Sequence, residues 1–304
     1  MKKILIIAKL KKMKLQPSLN RVELLEFLNK KDNITVIEDE QEKCMPENFD
    51  LVIYYCVSNG SMFGKPFIKG LKNSKIKKIL FFEDLQYIEN IKYIMKKFRF
   101  SLNLRLTKTK EEEILKNENI NFHLWNDYFF INHNIFKNYN QKKEYDILLY
   151  GATYKEHYPL RFKINECLIK LKDKYKILII EHSGYKDKNK ISTLPKRKEL
   201  SMLINKSKFC ISTSSIMDLF VYKYQEIPLS NSIIIGDIPT LYKDLFKDKM
   251  VEIDQNYSEE QIMEKLIDCC EGKYDYLLND NKLMNYFKDN SSFELAYNKL
   301  NDLF

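Results

Sequence analysis

The stretch Tyr145-Asp146-Ile147-Leu148-Leu149-Tyr150-Gly151-Ala152-Thr153, followed by Tyr158-Pro159-Leu160-Arg161, decides how this chain is read. Its apolar run has no helical period and reads as a strand buried on both faces. Gly151 takes the chain out of that strand through a turn. Pro159 suits the first turn of a helix, where its missing N–H would lack a partner anyway. Strand, turn and helix make an opening βα unit, and the pattern continues downstream. Residues 176–180, 208–212, 232–235 (closed by Gly236-Asp237) and 250–253 read as strands. Residues 159–172, 199–206, 220–226, 259–270 and the segment from 281 onward read as helices, with Pro228 cutting the third.

The same alternation occurs upstream. Residues 3–8, 33–37, 51–57, 79–82 and 100–106 read as strands, and 122–130 as an aromatic-rich extended stretch. Residues 21–30, 65–72, 88–97 and 111–117 read as helices. Between residues 132 and 143 apolar density falls and Asn, Lys and Tyr dominate, which marks a linker. The expectation is an α/β chain of two Rossmann-like domains, 1–138 and 139–304, facing across a cleft. The last helix is expected to pack back on the first domain. Strand–helix alternation implies parallel sheets with helices on both faces, and such sheets bind ligands at the carboxyl ends of their strands.

Composition narrows the function classes. The 304 residues are 44% hydrophobic, enough for two cores of about 150 residues each. Only 7 Gly are present, which argues against a Gly-rich dinucleotide loop. The net charge of +9 is spread along the chain and mixed with 42 acidic residues. It reads as a solvated basic surface. Nucleic acid is an unfavoured partner, since no arginine-rich arm or nucleic-acid motif is present, and a peripheral contact with an anionic membrane stays open. The cysteines, at 44, 56, 167, 210, 269 and 270, lack the CxxC spacing of a zinc site. The apolar run Ile4-Leu5-Ile6-Ile7-Ala8 is too short for a signal segment or a membrane span. The expected setting is the reduced cytoplasm, with no metal and no cofactor.

At Tyr145-Asp146-Ile147-Leu148-Leu149-Tyr150-Gly151 and Tyr158-Pro159-Leu160-Arg161 the second half resembles the donor domain of GT-B glycosyltransferases, in the branch that opens "DvLfvG…YplR". Leu203-Ile204-Asn205-Lys206-Ser207-Lys208 and Lys223-Tyr224-Gln225-Glu226-Ile227-Pro228 resemble later segments of that branch, "lLnkSKi" and "KyfEIp". The resemblance spans roughly residues 145–255; the first half is compatible by element order alone. It implies a glycosyltransferase that takes a nucleotide-sugar donor and a glycan, protein or other hydroxyl acceptor. It implies further that Glu226 accepts hydrogen bonds from the donor's ribose hydroxyls. An acidic residue often stands eight positions earlier in that family. Here the position holds Asp218, one methylene shorter than the usual Glu, which puts its sugar contact in doubt. Small and Gly residues usually follow the "EIP" segment, whereas this chain has Leu229-Ser230-Asn231.

The residues make chemical sense unaided. A diphosphate needs backbone N–H groups at a turn and a cation. Gly151 and Thr153 lie in such a turn. Arg161 follows it, either gripping phosphate with its fork or sitting on a helix surface. Lys223, three residues before Glu226, shares a helix face with it and either neutralises phosphate or pairs with that acid. His182 and Tyr185 follow a strand; His182 would touch phosphate and Tyr185 would stack on the base, unless the histidine is structural. Glu83 and Asp84 end an upstream strand. Either would serve as general base for the acceptor hydroxyl, or would simply meet a helix dipole. A nucleotide-sugar epimerase and a catalytically silent nucleotide-binding or scaffold protein are the competing functions.

Overall fold

The computed structural model describes residues 2–8, 19–38, 46–56, 74–82, 92, 95–96, 100, 102–105, 107–108, 112–182 and 195–303. Their elements run β1 (Ile4–Ala8), α1 (Leu19–Leu28), β2 (Ile34–Glu38), β3 (Leu51–Cys56), β4 (Lys77–Phe82), β5 (Leu102–Arg105), α2 (Glu112–Asn117) and β6 (Phe122–Leu124). After the linker come β7 (Tyr145–Tyr150), α3 (Pro159–Leu171), β8 (Ile177–Ile180), α4 (Arg197–Asn205), β9 (Ser207–Ile211), α5 (Lys223–Leu229) and β10 (Ile233–Gly236). The chain continues with α6 (Lys243–Phe246), β11 (Val251–Glu252), α7 (Glu259–Cys270), α8 (Lys282–Asn290) and α9 (Phe293–Asn301). The expected helix at 65–72 and most of that at 88–97 lie outside the described residues.

The chain divides into two compact units: Met1–Asn132 with Ser291–Phe304, and His133–Asn290. Residues 133–138 therefore group with the second unit, where Asn138 accepts from the Asn205 amide at 3.0 Å. The expected extended stretch at 122–130 is cut short. Only Phe122–Leu124 pairs as a strand. Trp125, Tyr128, Phe130 and Ile131 are buried loop residues instead, because apolar drive does not require strand pairing.

The first unit is a parallel sheet in the order β2-β1-β3-β4-β5-β6. Alternation along β1 explains its uninterrupted apolar sequence. Ile4, Ile6 and Ala8 enter one core layer, while Leu5 and Ile7 enter the layer on the other face. The first layer also takes Val22, Leu25 and Leu28 of α1 and Phe293, Ala296 and Leu300 of α9. The final helix is thus a core element of the first unit. Its Phe293 ring lies 5.6 Å from that of Phe27, and Asn33 holds Asn301 at 3.0 Å.

The second unit is also fully parallel, in the order β11-β10-β9-β7-β8. One face is covered by Leu160, Ile164 and Leu168 of α3 and Ile262, Leu266 and Cys269 of α7, each at helical spacing. Each fully buried Leu or Ile side chain stabilises by about 1.5–3 kcal/mol. Elsewhere in this unit Phe220, Tyr224, Tyr242, Phe246 and Phe287 form a stack of rings, with Phe220 4.5 Å from Tyr242 and 5.4 Å from Tyr224. Helix α5 runs through Pro228 and ends at Leu229, one residue past the predicted break. No described helix is long and apolar enough to cross a membrane.

Candidate functional site

In the second unit β8 was added on one side of β7 and β9 on the other, so the sheet changes its direction of growth between β7 and β9. At such a switch point the connections leave toward opposite faces and open a crevice at the carboxyl edge. Gly151-Ala152-Thr153 leaves β7 there, and Ser212-Thr213-Ser214-Ser215 leaves β9. Helix α5 brings Lys223 and Glu226 to the same place, both 9% exposed.

Arg161 sits behind these loops. Its Nη1 donates to the Ala152 carbonyl at 3.0 Å and its Nη2 to the Thr213 carbonyl at 2.8 Å. The guanidinium lies 4.1 Å from the centre of the Tyr158 ring. At 3% exposure it is not a surface helix arginine. It braces the loop after β7 against the loop after β9 and places a fixed positive charge beneath both.

Lys223 donates its ammonium to the Tyr150 carbonyl and stands 4.2 Å over the ring of the same residue. The Tyr150 hydroxyl in turn donates to Glu226 Oε2 at 3.4 Å. Gly151 makes room for this: its φ is +84°, and a Cβ there would stand 2.8 Å from Lys223 Nζ. Burial and the Arg161 charge hold the Lys223 ammonium well below the usual lysine range, with Glu226 pulling the other way. Burial, Lys223 and Arg161 likewise push His182 below the usual histidine value. Burial and Glu226 push the Tyr150 phenol well up. Three basic groups therefore act on one another at the switch point, with the Glu226 carboxylate among them. An arrangement that penalises its own positive charges is electrostatically complementary to an anion.

A second polar network flanks the first. The Asp237 carboxylate accepts the Ser214 N–H at 2.8 Å, the Gln255 amide at 2.7 Å and the Ser214 hydroxyl, while the Tyr224 hydroxyl donates to the Asp237 carbonyl at 2.8 Å. Gly236 lets the β9 and β10 ends approach: its φ is +155°, and a Cβ would fall 1.7 Å from the Ser212 carbonyl oxygen. Among the described residues, the Ser212 and Thr213 hydroxyls are buried without a hydrogen-bond partner.

The structure thus gathers Gly151, Thr153, Arg161, His182, Lys223 and Glu226 around one strand end. Asp218 is occupied differently. It adopts φ +53°, and both its carboxylate oxygens accept the Thr240 N–H, at 3.2 and 3.1 Å. It ties the loop after β9 to the loop after β10. Glu83, Asp84 and Tyr185 lie outside the described residues. Sequence reasoning missed Tyr150, Ser212, Thr213, Ser214, Asp237 and Gln255. Two signals were available: four hydroxyl residues directly after the apolar strand at 208–211, and the Gly236-Asp237 pair closing the next one. Among the described residues no group of three or more His, Cys, Asp and Glu side chains is placed to hold a metal ion.

No family model matches this chain, and no curated protein matches it in sequence. Solved structures do match its fold. Sucrose-phosphate synthase from Thermosynechococcus elongatus superposes with a TM-score of 0.65 at 9% identity, covering 100% of this chain and 98% of that one. A glycosyltransferase from Rickettsia africae gives 0.60 at 14% identity, covering 99% and 97%. HepE of Anabaena, in complex with UDP and glucose, gives 0.59 at 9% identity, covering 100% and 99%. The chain has the GT-B glycosyltransferase fold. At these identities the likeness speaks for the fold alone, and the chemistry has to come from the residues.

Proposed function

We propose that this chain is a glycosyltransferase that binds a nucleotide-sugar donor at the β7–β9 switch point and transfers the sugar to a hydroxyl acceptor. The observation that carries this reading is the buried grouping of Lys223, Arg161 and Glu226 where the loops after β7 and β9 leave the sheet, with His182 at the end of the adjoining β8. The fixed charge of Arg161, with Lys223 and His182 beside it, suits a diphosphate. Lys223 and His182 would meet the phosphates, with the turn at Gly151 and Thr153 offering backbone N–H groups. Arg161 would act through its charge and by bracing both loops. Glu226 would receive the ribose hydroxyls, because a carboxylate is an acceptor only. UDP in the HepE structure supports a nucleoside diphosphate as the ligand of such a fold.

In the reaction the acceptor oxygen forms a bond to the anomeric carbon and the bond from that carbon to the diphosphate oxygen breaks. The leaving diphosphate gains negative charge, which Lys223 and the Arg161 field would stabilise. The acceptor proton would go to a carboxylate of the first unit, for which Glu83 and Asp84, just past β4, are the candidates. The acceptor is a glycan, protein or other hydroxyl compound. The cytoplasm is the proposed location, in keeping with free thiols at Cys167, Cys210, Cys269 and Cys270.

The test is a melting-temperature screen against UDP, GDP, ADP and CDP, each with and without EDTA, followed by calorimetry on the best ligand. Stabilisation by one nucleoside diphosphate, weakened at least tenfold in Glu226→Ala, is expected. A chain indifferent to all four would sink the reading. A binding protein without catalysis is the second reading. It is favoured by Asp218, which stands one methylene short of the usual Glu and accepts the Thr240 N–H. Release of free nucleoside diphosphate from the nucleotide sugar in the presence of acceptor separates the two. An epimerase would instead convert the nucleotide sugar with no acceptor present.

A further inference from the structure

We infer that Tyr150 is a positioning residue that seats both charges of the donor site, its carbonyl and ring face holding the Lys223 ammonium and its hydroxyl orienting the Glu226 carboxylate. The inference rests on the donor-site reading above and adds the residue that sets the spacing between its phosphate and ribose ends.

The placement follows from the sheet. On the β8 side, β7 stays in register to Tyr150↔Ile180, but on the β9 side the pairing ends at Leu148↔Cys210. Tyr150 therefore lies two residues past the last β7–β9 pair, at the mouth of the switch point. Its carbonyl there takes the Lys223 ammonium. Its ring adds an electron-rich face 4.2 Å from Nζ, an attraction that strengthens when the cation is desolvated. A buried tyrosine hydroxyl needs a partner, and Glu226 Oε2 supplies it at 3.4 Å. A carboxylate accepts several donors, so a ribose hydroxyl can join the tyrosine on Glu226. Lys223 and Glu226 lie one helical turn apart on α5, and Tyr150 touches both from the neighbouring strand. Phenylalanine would keep the ring and the carbonyl but lose the hold on Glu226. Leucine would keep only the carbonyl.

The experiment measures calorimetric affinities for UDP, 2′-deoxy-UDP and UMP (or the matching set for the base that the melting screen selects). The proteins are the wild type, Tyr150→Phe, Tyr150→Leu and Glu226→Ala, each checked for a cooperative melt. The wild type should prefer UDP over its 2′-deoxy analogue by about tenfold, the scale of one hydrogen bond to a charged group. In Tyr150→Phe that preference should fall to about two- to threefold, while the preference for UDP over UMP stays at the wild-type value. Tyr150→Leu should lower both ratios. A tyrosine with a merely structural role would change all affinities in parallel and move neither ratio. If Tyr150→Phe discriminates against the deoxy analogue as the wild type does while Glu226→Ala does not, the inference is overturned and the donor-site reading stands. If the wild type and Glu226→Ala discriminate alike, the ribose role of Glu226 falls, and the inference with it.

Discussion

The Lys223 ammonium rests on the carbonyl of Tyr150 and against its ring, directly above a Gly151 that has no Cβ to obstruct it. A buried ammonium repelled by Arg161 needs such a seat, since burial disfavours the charged form and one carbonyl with one ring face is modest compensation. An incoming diphosphate would supply the rest. The lysine is thus held in place before its ligand arrives, which lowers the cost of ordering it on binding.

Gly151→Ala tests that seat directly. A methyl at this position would stand 2.8 Å from Lys223 Nζ, and the residue would have to hold φ +84°. The left-handed backbone costs a non-glycine residue about 1 kcal/mol or more. The flexible lysine end can move away, so the fold should survive with a melting temperature lowered by a few degrees. Affinity for a nucleoside diphosphate should drop roughly tenfold, and affinity for the corresponding monophosphate much less. Equal losses for both ligands in calorimetry would show that the methyl acts on the loop rather than on the lysine.

His182 makes the protein sensitive to pH. Its folded value lies below the usual one, through burial and then the charges of Lys223 and Arg161. The unfolded chain therefore binds a proton in a window where the folded chain does not, between the lowered value and the usual 6.5. Stability of the ligand-free protein should rise with pH through that window and be lost as pH falls through it. A bound diphosphate reverses the electrostatic cause, so ligand affinity should increase as pH falls from 7 toward 5.5. His182→Gln should flatten both profiles. An affinity profile in His182→Gln identical to the wild type would remove this residue from the site.

The fold was legible because parallel strands buried on both faces write themselves as unbroken apolar runs: Ile147-Leu148-Leu149-Tyr150 and Ile233-Ile234-Ile235 admit few other readings. Lys223 and Glu226 were legible as a pair because three residues along a helix restore the same face. Tyr150 was not, because its role depends on where β9 stops pairing, and sequence spacing carries no information about sheet order. Arg161 was placed near the site with two alternatives, a phosphate grip or a helix surface, and the structure sets its fork on two backbone carbonyls. A fork that grips two backbone carbonyls looks, in sequence, the same as one that grips phosphate. Asp218 stands where the family pattern often has an acid, one methylene short of the usual Glu, and its short side chain and left-handed backbone fit the Thr240 N–H of the loop after β10.

Lys143 secures the second unit at the end of the sheet remote from the site. Its ammonium donates to the carbonyls of Asn205 at 2.8 Å, Ser207 at 2.9 Å and Asn231, drawing together the end of α4, the start of β9 and the turn before β10. Lys143→Met keeps the apolar stem and removes all three donors. The Ser207 carbonyl keeps the Ser232 hydroxyl at 3.0 Å, and leaving the others short of a donor costs about 1–3 kcal/mol, which urea denaturation resolves. Burial pushes the lysine down to about 8 from 10.5, so the unfolded chain binds the extra proton between those values. Wild-type stability should therefore gain with pH across that interval relative to Lys143→Met. A variant as stable as the wild type and with the same alkaline profile would show that water serves these carbonyls as well.

Removing residues 291–304 should separate the fates of the two units. Phe293, Ala296 and Leu300 of α9 are 6%, 0% and 1% exposed, in the same core layer as Ile4, Ile6, Val22 and Leu25. Polar contacts reinforce the docking. Lys299 donates to the Trp125 carbonyl at 3.1 Å and to Asn126 at 3.0 Å, and Asn33 meets both Asn301 and the Tyr297 hydroxyl at 3.0 Å. Deleting the helix uncovers the part of this core layer that α1 does not cover, a loss of several buried side chains at about 1.5–3 kcal/mol each. That exceeds the margin of an ordinary domain, so the first unit should lose its cooperative melt and bind a hydrophobic dye. The second unit, His133–Asn290, has its own core and holds Tyr150, Arg161, His182, Lys223 and Glu226. A nucleoside diphosphate should still raise the remaining melting transition of the truncated chain, while sugar transfer is abolished. Loss of nucleotide binding together with the first unit's transition would mean that the ligand needs residues of both units, and the donor site could no longer be assigned to the second alone.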